Sequence, residues 1–556
     1  MGDNGQPAAP PAGDTGFLLE HAKRFSESVL WQINRQYYSD VGPQAWHSGA
    51  VPSYATCNAY IAQAYANVVI AYLRDAVAAG LVDPAHPVHI VELAAGVGRF
   101  AYQFLKKLHA LKDASSLRAL DVRYVMTDFT MTNVRAWNAH PQLKPFLASG
   151  VLDLGTFDVD RDREVKLIGG QVLSAQTVKN PMVVLGNYAF DTFRQDLFRV
   201  AGGALHEVQV TTRSPTAESP DLTRTDIISQ LKVQYSQRTI GDNYYDDAAL
   251  NKVLAHYRER LAETTIAMPI GGFLGLRRLL DIAGRRMLLL SSDKGYTHED
   301  ELYHPGQAAM EFHTGCLSMM VNYHAIGQYF LAQGGLYAAT SARFINLKTA
   351  ACILGGGADQ FANTLSAFRE RIDTFGPSDF FELLLHEKRD TRGNISIEHF
   401  LGLLRMSHWD PGVVWEYAGP VMTQALTAAE PLQVELRIAL ERAWENFFPG
   451  AQNLPFEMAR IFMALRRPLE AIRFNQLSLE MFGESAVTYL NMGVAHYYAE
   501  NAADAMRCFQ RSLDLSPAFG LAKAWSSRVQ AEIDRGRTGA PPPIGPGQPH
   551  YEPSAG

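Results

Sequence analysis

The stretch VHIVELAAGVGRF, residues 88–100, carries an apolar run into a carboxylate, Glu92, and then into two glycines, Gly96 and Gly98. A strand that ends in an acid, followed by a turn without side chains and the start of a helix, sets backbone N–H groups and an acceptor around one crevice. Two cofactor chemistries use such a crevice. A dinucleotide pyrophosphate needs G-x-G-x-x-G/A, a string that Gly96, Gly98 and Ala101 fit, though a single short match is weak evidence. S-adenosylmethionine has no pyrophosphate and carries a cationic sulfonium and an amino acid. Its binders favour an acid before the glycines, spaced E-x-G-x-G-x-G, and Glu92, Ala94, Gly96 and Gly98 keep that spacing with alanine for one glycine. The next two strand ends favour this second reading. Asp128 closes VRYVMTD, where a carboxylate can accept from both ribose hydroxyls, and Asp158 ends the third strand, where it can meet an adenine amino group. Singly, each acid is an ordinary strand-end residue and the glycines an ordinary tight turn; three acids on three successive strand ends are a stronger constellation.

Other reactive residues give less. His298, His304, His313 and His324 crowd one acidic, aromatic stretch, but their spacing does not match helical i, i+4 ligation, and methyl transfer to a heteroatom needs no metal. No metal site is expected there, while one of these histidines could serve as a general base. RDTRGNISIEHF at 389–400 imitates the tail of a calcium loop through Gly393 and Ile395. Lys388, Arg392 and His399 stand where oxygen ligands belong, so it reads as a turn between helices.

The elements that must position these residues follow from periodicity. Between 88 and 200, β-rich runs (VHIVELA, VRYVMTD, SGVLDLGTFD, PMVVLGNY) alternate with helical ones, which predicts a parallel sheet with crossover helices, and MLLLSSD at 287–293 adds a strand. The expected organisation is a flexible tail at 1–15, a helical N-terminal segment at 16–87, and an α/β Rossmann-like domain at 88–350 with a helical insertion at about 205–283. An all-α domain follows at 360–535, then a second flexible tail at 536–556. Within the all-α part, a shift of 34 residues aligns Met458 with Met492, Ala459 with Gly493, Ala471 with Ala505 and Ser478 with Ser512. That period belongs to the tetratricopeptide helix-turn-helix unit, giving repeats at about 452–519 capped by helices at 428–447 and 520–534. A net charge of −7 offers no global field for nucleic acid or anionic lipid, and no run reaches membrane-spanning length. Four scattered cysteines and the absence of an N-terminal signal pattern suit a reducing, cytoplasmic compartment.

On these motifs the chain, from about residue 50 to 345, resembles the MidA-like (DUF185) class I S-adenosylmethionine-dependent methyltransferases. The matching pieces are SGAVPSYATCNAYIAQAYANVVIAYL, ELAAGVGRF, LGNYAFDTFRQDLFRV and SSDKGYTHEDELYHP. Eukaryotic members of that family methylate an arginine of a respiratory complex I subunit. The family's N-E-x-x-D after the fourth strand is here Asn187-Tyr188-Ala189-Phe190-Asp191, with tyrosine where the glutamate could hold a guanidinium, so arginine specificity is not carried over. Tyr188 could orient an amine or screen the transfer site from water, or simply pack. Asp191 could orient the substrate or cap the following helix.

The resulting expectation is an S-adenosylmethionine-dependent methyltransferase acting on a heteroatom, nitrogen by preference, of a protein or small molecule. Asn187, Tyr188 and Asp191 stand at the acceptor end, and Glu92, Ala94, Gly96, Gly98, Asp128 and Asp158 at the cofactor. The alternative is a non-catalytic cofactor-binding scaffold that works through its helical repeats; a nicotinamide-dependent oxidoreductase is the weaker third. The repeats could bind a protein partner or only buttress the enzyme, and both readings stay open.

Overall fold

A computed structural model describes residues 16–47, 53–303, 310–313, 315–343, 345–391 and 394–535. Both expected tails, together with His304, Arg392 and Gly393, lie outside the described residues. The chain divides into two compact units between Phe381 and Glu382, past the expected boundary at 350–360.

The first unit is built on nine strands: β1 (Val88–Glu92), β2 (Val122–Asp128), β3 (Leu152–Thr156), β4 (Val165–Leu167), β5 (Val172–Leu173), β6 (Met182–Asn187), β7 (Met287–Asp293), β8 (Leu336–Ala339) and β9 (Lys348–Leu354). Their order across the sheet is β8-β9-β7-β6-β1-β2-β3-β4-β5. Strands β3, β2, β1, β6 and β7 run parallel, and β9 is inserted antiparallel beside β7. Every residue of β1, β7 and β9 is buried, so none of the three shows the strict apolar-polar alternation of a half-exposed strand. The chain winds one way from β1 to β3 and the other way from β6 to β9, so the crevice beyond Glu92 lies at the switch point of the sheet.

Four helices matter for that crevice: α1 (Val29–Val41), α2 (Ala59–Ala78), α3 (Arg99–Asp113) and α4 (Met131–Ala139). The Asn58 side chain caps α2 by accepting from Ile61 N at 3.0 Å, and Gly80, at φ +69°, follows its end. Helix α3 starts immediately after Gly98, whose φ of +86° is a left-handed value that a side chain resists. The unit extends to Phe381 because Asp75 of α2 gathers Asn363 Nδ2 (2.7 Å), Thr364 N (2.8 Å) and Thr364 Oγ1 (2.7 Å), while Tyr72 stacks on Phe361.

Two expectations are corrected. The N-terminal segment is not wholly helical: Leu18–Arg24 is a strand paired with Ala204–Arg213, a partner so distant in sequence that no local periodicity signals it. The insertion is not wholly helical either. It contributes Ala204–Arg213, Lys232–Thr239 and Thr264–Met268 to a five-stranded antiparallel sheet with Leu18–Arg24 and Asp196–Ala201, besides helices at Ala248–Arg260 and Ile270–Ile282. In Lys232–Thr239 only Val233 and Tyr235 are partly buried, so its apolar alternation covers too few residues to be recognised as a strand. Among the described residues, no helix is long and apolar enough to cross a membrane.

The second unit is helical. Its last five helices are Leu454–Ala464, Pro468–Phe482, Ala486–Tyr498, Ala502–Leu515 and Gly520–Asp534, and the starts at Pro468 and Ala502 keep the 34-residue offset read from the sequence. Ala471 and Ala505 are fully buried, and Phe462 stacks on Phe474 at 5.2 Å. A Cβ on Gly493 would stand 2.6 Å from the Phe509 ring, so this position admits no side chain without displacement. Gly493→Val should therefore destabilise this unit by about 1–3 kcal/mol, the usual cost of overpacking, measured by urea unfolding. Unaltered stability would show that the helices here can part freely.

Candidate functional site

Beyond the carboxyl ends of β1, β2, β3 and β6 lies a cavity of about 560 Å³, closed on other sides by residues of α1 and by Trp46. Glu92, Ala94, Gly96, Asp128, Asp158, Asn187, Tyr188 and Asp191 all line it, so eight of the nine residues singled out in the sequence meet at one place. Gly98, the ninth, is turned into the packing behind the turn, where a Cβ would meet Met126 Cε at 2.9 Å. A Cβ on Gly96 would instead face Trp46 in the cavity at 3.6 Å, and the turn is locked by Trp137 Nε1 donating to Gly96 O at 2.8 Å.

The acids differ in their surroundings. Glu92 is buried, accepts from Tyr124 Oη at 2.9 Å and has no cationic partner among the described residues; burial raises its carboxyl to about 8, and the tyrosine offsets only part of that. Asp128 is raised by burial too, and is held down by Asn133 Nδ2 (2.8 Å) and Thr130 N (2.9 Å). Each of its oxygens keeps acceptor capacity. Asp158 stands two residues beyond β3, which ends at Thr156 rather than at the acid. It is held by Arg35 of α1, with Nη2 at 2.6 Å and Nη1 at 3.2 Å, and the same guanidinium lies 4.3 Å over the Phe129 ring.

At the other end, the amide oxygen of Asn187 accepts from Tyr65 Oη (2.8 Å) and Ser292 N (3.1 Å), and its Nδ2 donates to Thr56 O (3.3 Å). Its oxygen is therefore committed to joining α2, β6 and β7. Tyr188 follows at φ +47°, a strained value for a non-glycine residue and of the kind found at functional sites. Asp191 has a buried Oδ1 without a partner, and its N–H donates to Asp293 Oδ2 at 3.2 Å. Burial pushes Asp191 up to about 7, and burial together with repulsion from Asp191 pushes Asp293 well up.

Of the four histidines, His313 lines the cavity and pairs with Ser318 Oγ at 3.2 Å. His298 reaches Thr340 O instead, and His324 is buried against Tyr257. His256, Glu299 and His324 bring three potential ligand atoms within 4.8 Å of one another away from the cavity, but Glu299 already takes His256 Nε2 (2.8 Å) and Arg260 Nε (3.1 Å), and His324 Nε2 meets Gln328 at 3.2 Å. Two wall residues that hold the acids, Arg35 and Asn133, escaped sequence reasoning. Arg35 carried no signal, because its acid is 123 residues away. Asn133, whose Oδ1 is buried without a partner, could have been found as the polar residue opening the helix after β2.

No protein-family profile and no curated protein matches the chain. Among solved structures it is similar to two from Burkholderia thailandensis. One is an uncharacterized ACR of the COG1565 superfamily, at 15% identity over 61% of this chain and 90% of that one, with a TM-score of 0.37. The other is a COG1565 superfamily member thought to be a methyl transferase and bound to S-adenosyl-homocysteine, at 14% identity over the same 61% and 90%, also with a TM-score of 0.37. Likeness at that level carries no weight, and the site must be read from its own residues.

The raised Asp191 has a consequence for stability. The folded state keeps this proton to about pH 7, whereas the unfolded chain loses it near pH 3.9. The Asp191 contribution to folding stability should accordingly fall as pH rises from about 4 to about 7 and level off above, while the raised Glu92 and Asp293 add falls of their own. Asp191→Asn should flatten that fall by about one proton's slope, and by more if Asp293 then ionises normally. Urea unfolding across this range measures it, and an identical slope in both proteins would show that Asp191 titrates as an ordinary carboxylate.

Proposed function

We propose that the chain is an S-adenosylmethionine-dependent methyltransferase with a Rossmann-like sheet, acting on a heteroatom of a protein or small-molecule acceptor, with nitrogen preferred. The observation that carries this reading is the convergence of Glu92, the Gly96 turn and Asp128 on one cavity that also holds Tyr188 and Asp191. The residues fit the cofactor. Glu92 is a buried carboxyl that lacks a cation, Asp128 and the orphaned Asn133 Oδ1 offer acceptors for vicinal hydroxyls, and Gly96 leaves open the space a side chain would fill. A dinucleotide pyrophosphate brings no ammonium for Glu92 to hold, which disfavours a dinucleotide.

When bound, S-adenosylmethionine supplies an electrophilic methyl group. In this reading Glu92 holds the ammonium of its amino-acid end, and Asp128 with Asn133 holds the ribose. Asp158, already fixed by Arg35, gives its remaining acceptor capacity to the adenine amino group. Alignment does most of the catalytic work. Tyr188, fixed by its N–H to Ser292 O at 3.0 Å, walls the acceptor end. Asp191, raised to about 7, is matched to removing one proton from the attacking heteroatom near neutral pH. Asn187 positions the strand ends through Tyr65 and Ser292. The two hairpins between Leu454 and Leu515 are assigned the tetratricopeptide type by their period, with protein binding as their proposed role.

Transfer of labelled methyl groups to fractionated lysate, resolved into protein and small-molecule pools, tests the activity. Cofactor affinity without any transfer would support the scaffold reading instead. Gly96→Val is expected to abolish S-adenosylhomocysteine binding, because its methyls would enter the cavity beside Trp46. The left-handed backbone adds about 1–2 kcal/mol of folding cost, so the variant should still fold. Calorimetry on the folded variant decides it, and wild-type affinity would remove the turn from the site.

A further inference from the structure

The proposed ligand is a zwitterion at its amino-acid end, and Glu92 answers only the ammonium. A carboxylate entering a cavity already lined by buried acids needs a cation of its own. Among the described residues, five lysine and arginine side chains line this cavity: Arg35, Arg99, Arg161, Arg194 and Lys294. Four are spoken for. Arg35 and Arg161 stand 2.6 Å and 3.9 Å from Asp158, Arg194 stands 2.7 Å from Asp160, and Lys294 stands 2.8 Å from Glu311.

Arg99 is the exception, with no ion pair or hydrogen bond to its side chain among the described residues, and with its Nε shut off from solvent without an acceptor. It is the first residue of α3, directly after the turn at Gly96 and Gly98, and Gly98 gives that helix no side-chain cap. The guanidinium therefore adds a full charge where the helix already presents orphan N–H groups and the positive end of its dipole. Its planar fork matches a carboxylate with two parallel hydrogen bonds.

We infer that Arg99 forms a carboxylate-binding subsite, so that the cavity takes an α-amino-acid end with its ammonium on Glu92 and its carboxylate on Arg99. The inference rests on the methyltransferase reading and adds to it the residue that selects an amino-acid-bearing nucleoside over a plain one. It also explains why the turn carries arginine, a residue that a merely structural strand-to-helix turn does not need.

The test compares two ligands that share the thioether nucleoside and differ in the amino acid: S-adenosylhomocysteine and 5′-methylthioadenosine. Calorimetry is run on the wild type, Arg99→Gln and Arg99→Lys. The expected result is that Arg99→Gln weakens S-adenosylhomocysteine about ten- to a hundredfold, as for loss of a charge-assisted bidentate pair. Arg99→Lys should retain part of the affinity, and 5′-methylthioadenosine should bind all three proteins equally, which also certifies their folded cavities. Equal affinity of the wild type and Arg99→Gln for S-adenosylhomocysteine would overturn the subsite and leave the methyltransferase reading intact. Equal losses for both ligands would overturn it as well, by showing general damage to the cavity. A wild type that binds neither ligand would sink the cofactor reading, and the subsite with it.

Discussion

A carboxyl buried at the end of the central strand without a cation is the constraint around which the first unit is arranged. Glu92 sits where β1 leaves the sheet, flanked by β2 and β6, with Tyr124 as its hydrogen-bond donor. Burial raises its proton affinity to about 8, so the folded chain carries an electrostatic cost that core packing does not relieve. A structural role would be met more cheaply by an apolar residue, and the cost becomes intelligible if a cation arrives from outside.

The backbone around that carboxyl is bent to leave room. Ala94, Gly96 and Gly98 have φ of +50°, +56° and +86°, and Tyr188, at the end of the adjacent strand β6, has +47°. Two neighbouring strand ends thus both turn through left-handed conformations, one opening space beside Trp46 and the other aiming an aromatic ring at the same cavity. Such geometry persists only where the surroundings hold it, and here Trp137 on Gly96 O and Ser292 on Tyr188 N supply the hold. The segment beyond β6 repeats the theme, with Asp191 and Asp293 buried beside one another and both raised.

What the sequence disclosed was what local pattern encodes. The runs ending at Glu92, Asp128 and Asn187 are strands because their apolar residues are contiguous and bounded by turn-forming ones, and the glycine turn announces itself by composition. The 34-residue offset survives in the helix starts at Pro468 and Ala502. What stayed hidden was set by contacts distant in sequence. Leu18–Arg24 is a strand only because Ala204–Arg213 lies beside it, and the insertion forms strands where its own pattern suggested helix. At the site, Asp158 reads as a free strand-end acid until Arg35 of α1 is seen to hold it, and Asn187 reads as a substrate ligand until Tyr65 and Ser292 are seen to occupy its oxygen. A side chain's type is legible locally; its remaining hydrogen-bonding capacity is not.

The most direct measurement is the proton balance of ligand binding. If an ammonium settles against Glu92, the carboxyl must ionise. At pH 7 a group raised to about 8 is protonated in about nine molecules of ten before binding. Calorimetric titration of S-adenosylhomocysteine in buffers of different ionisation enthalpy should register release of close to one proton per ligand bound. Glu92→Gln should abolish the release and weaken binding. Tight binding with no proton released, or equal behaviour of Glu92→Gln, would contradict the assignment of this buried carboxyl as the ammonium's partner.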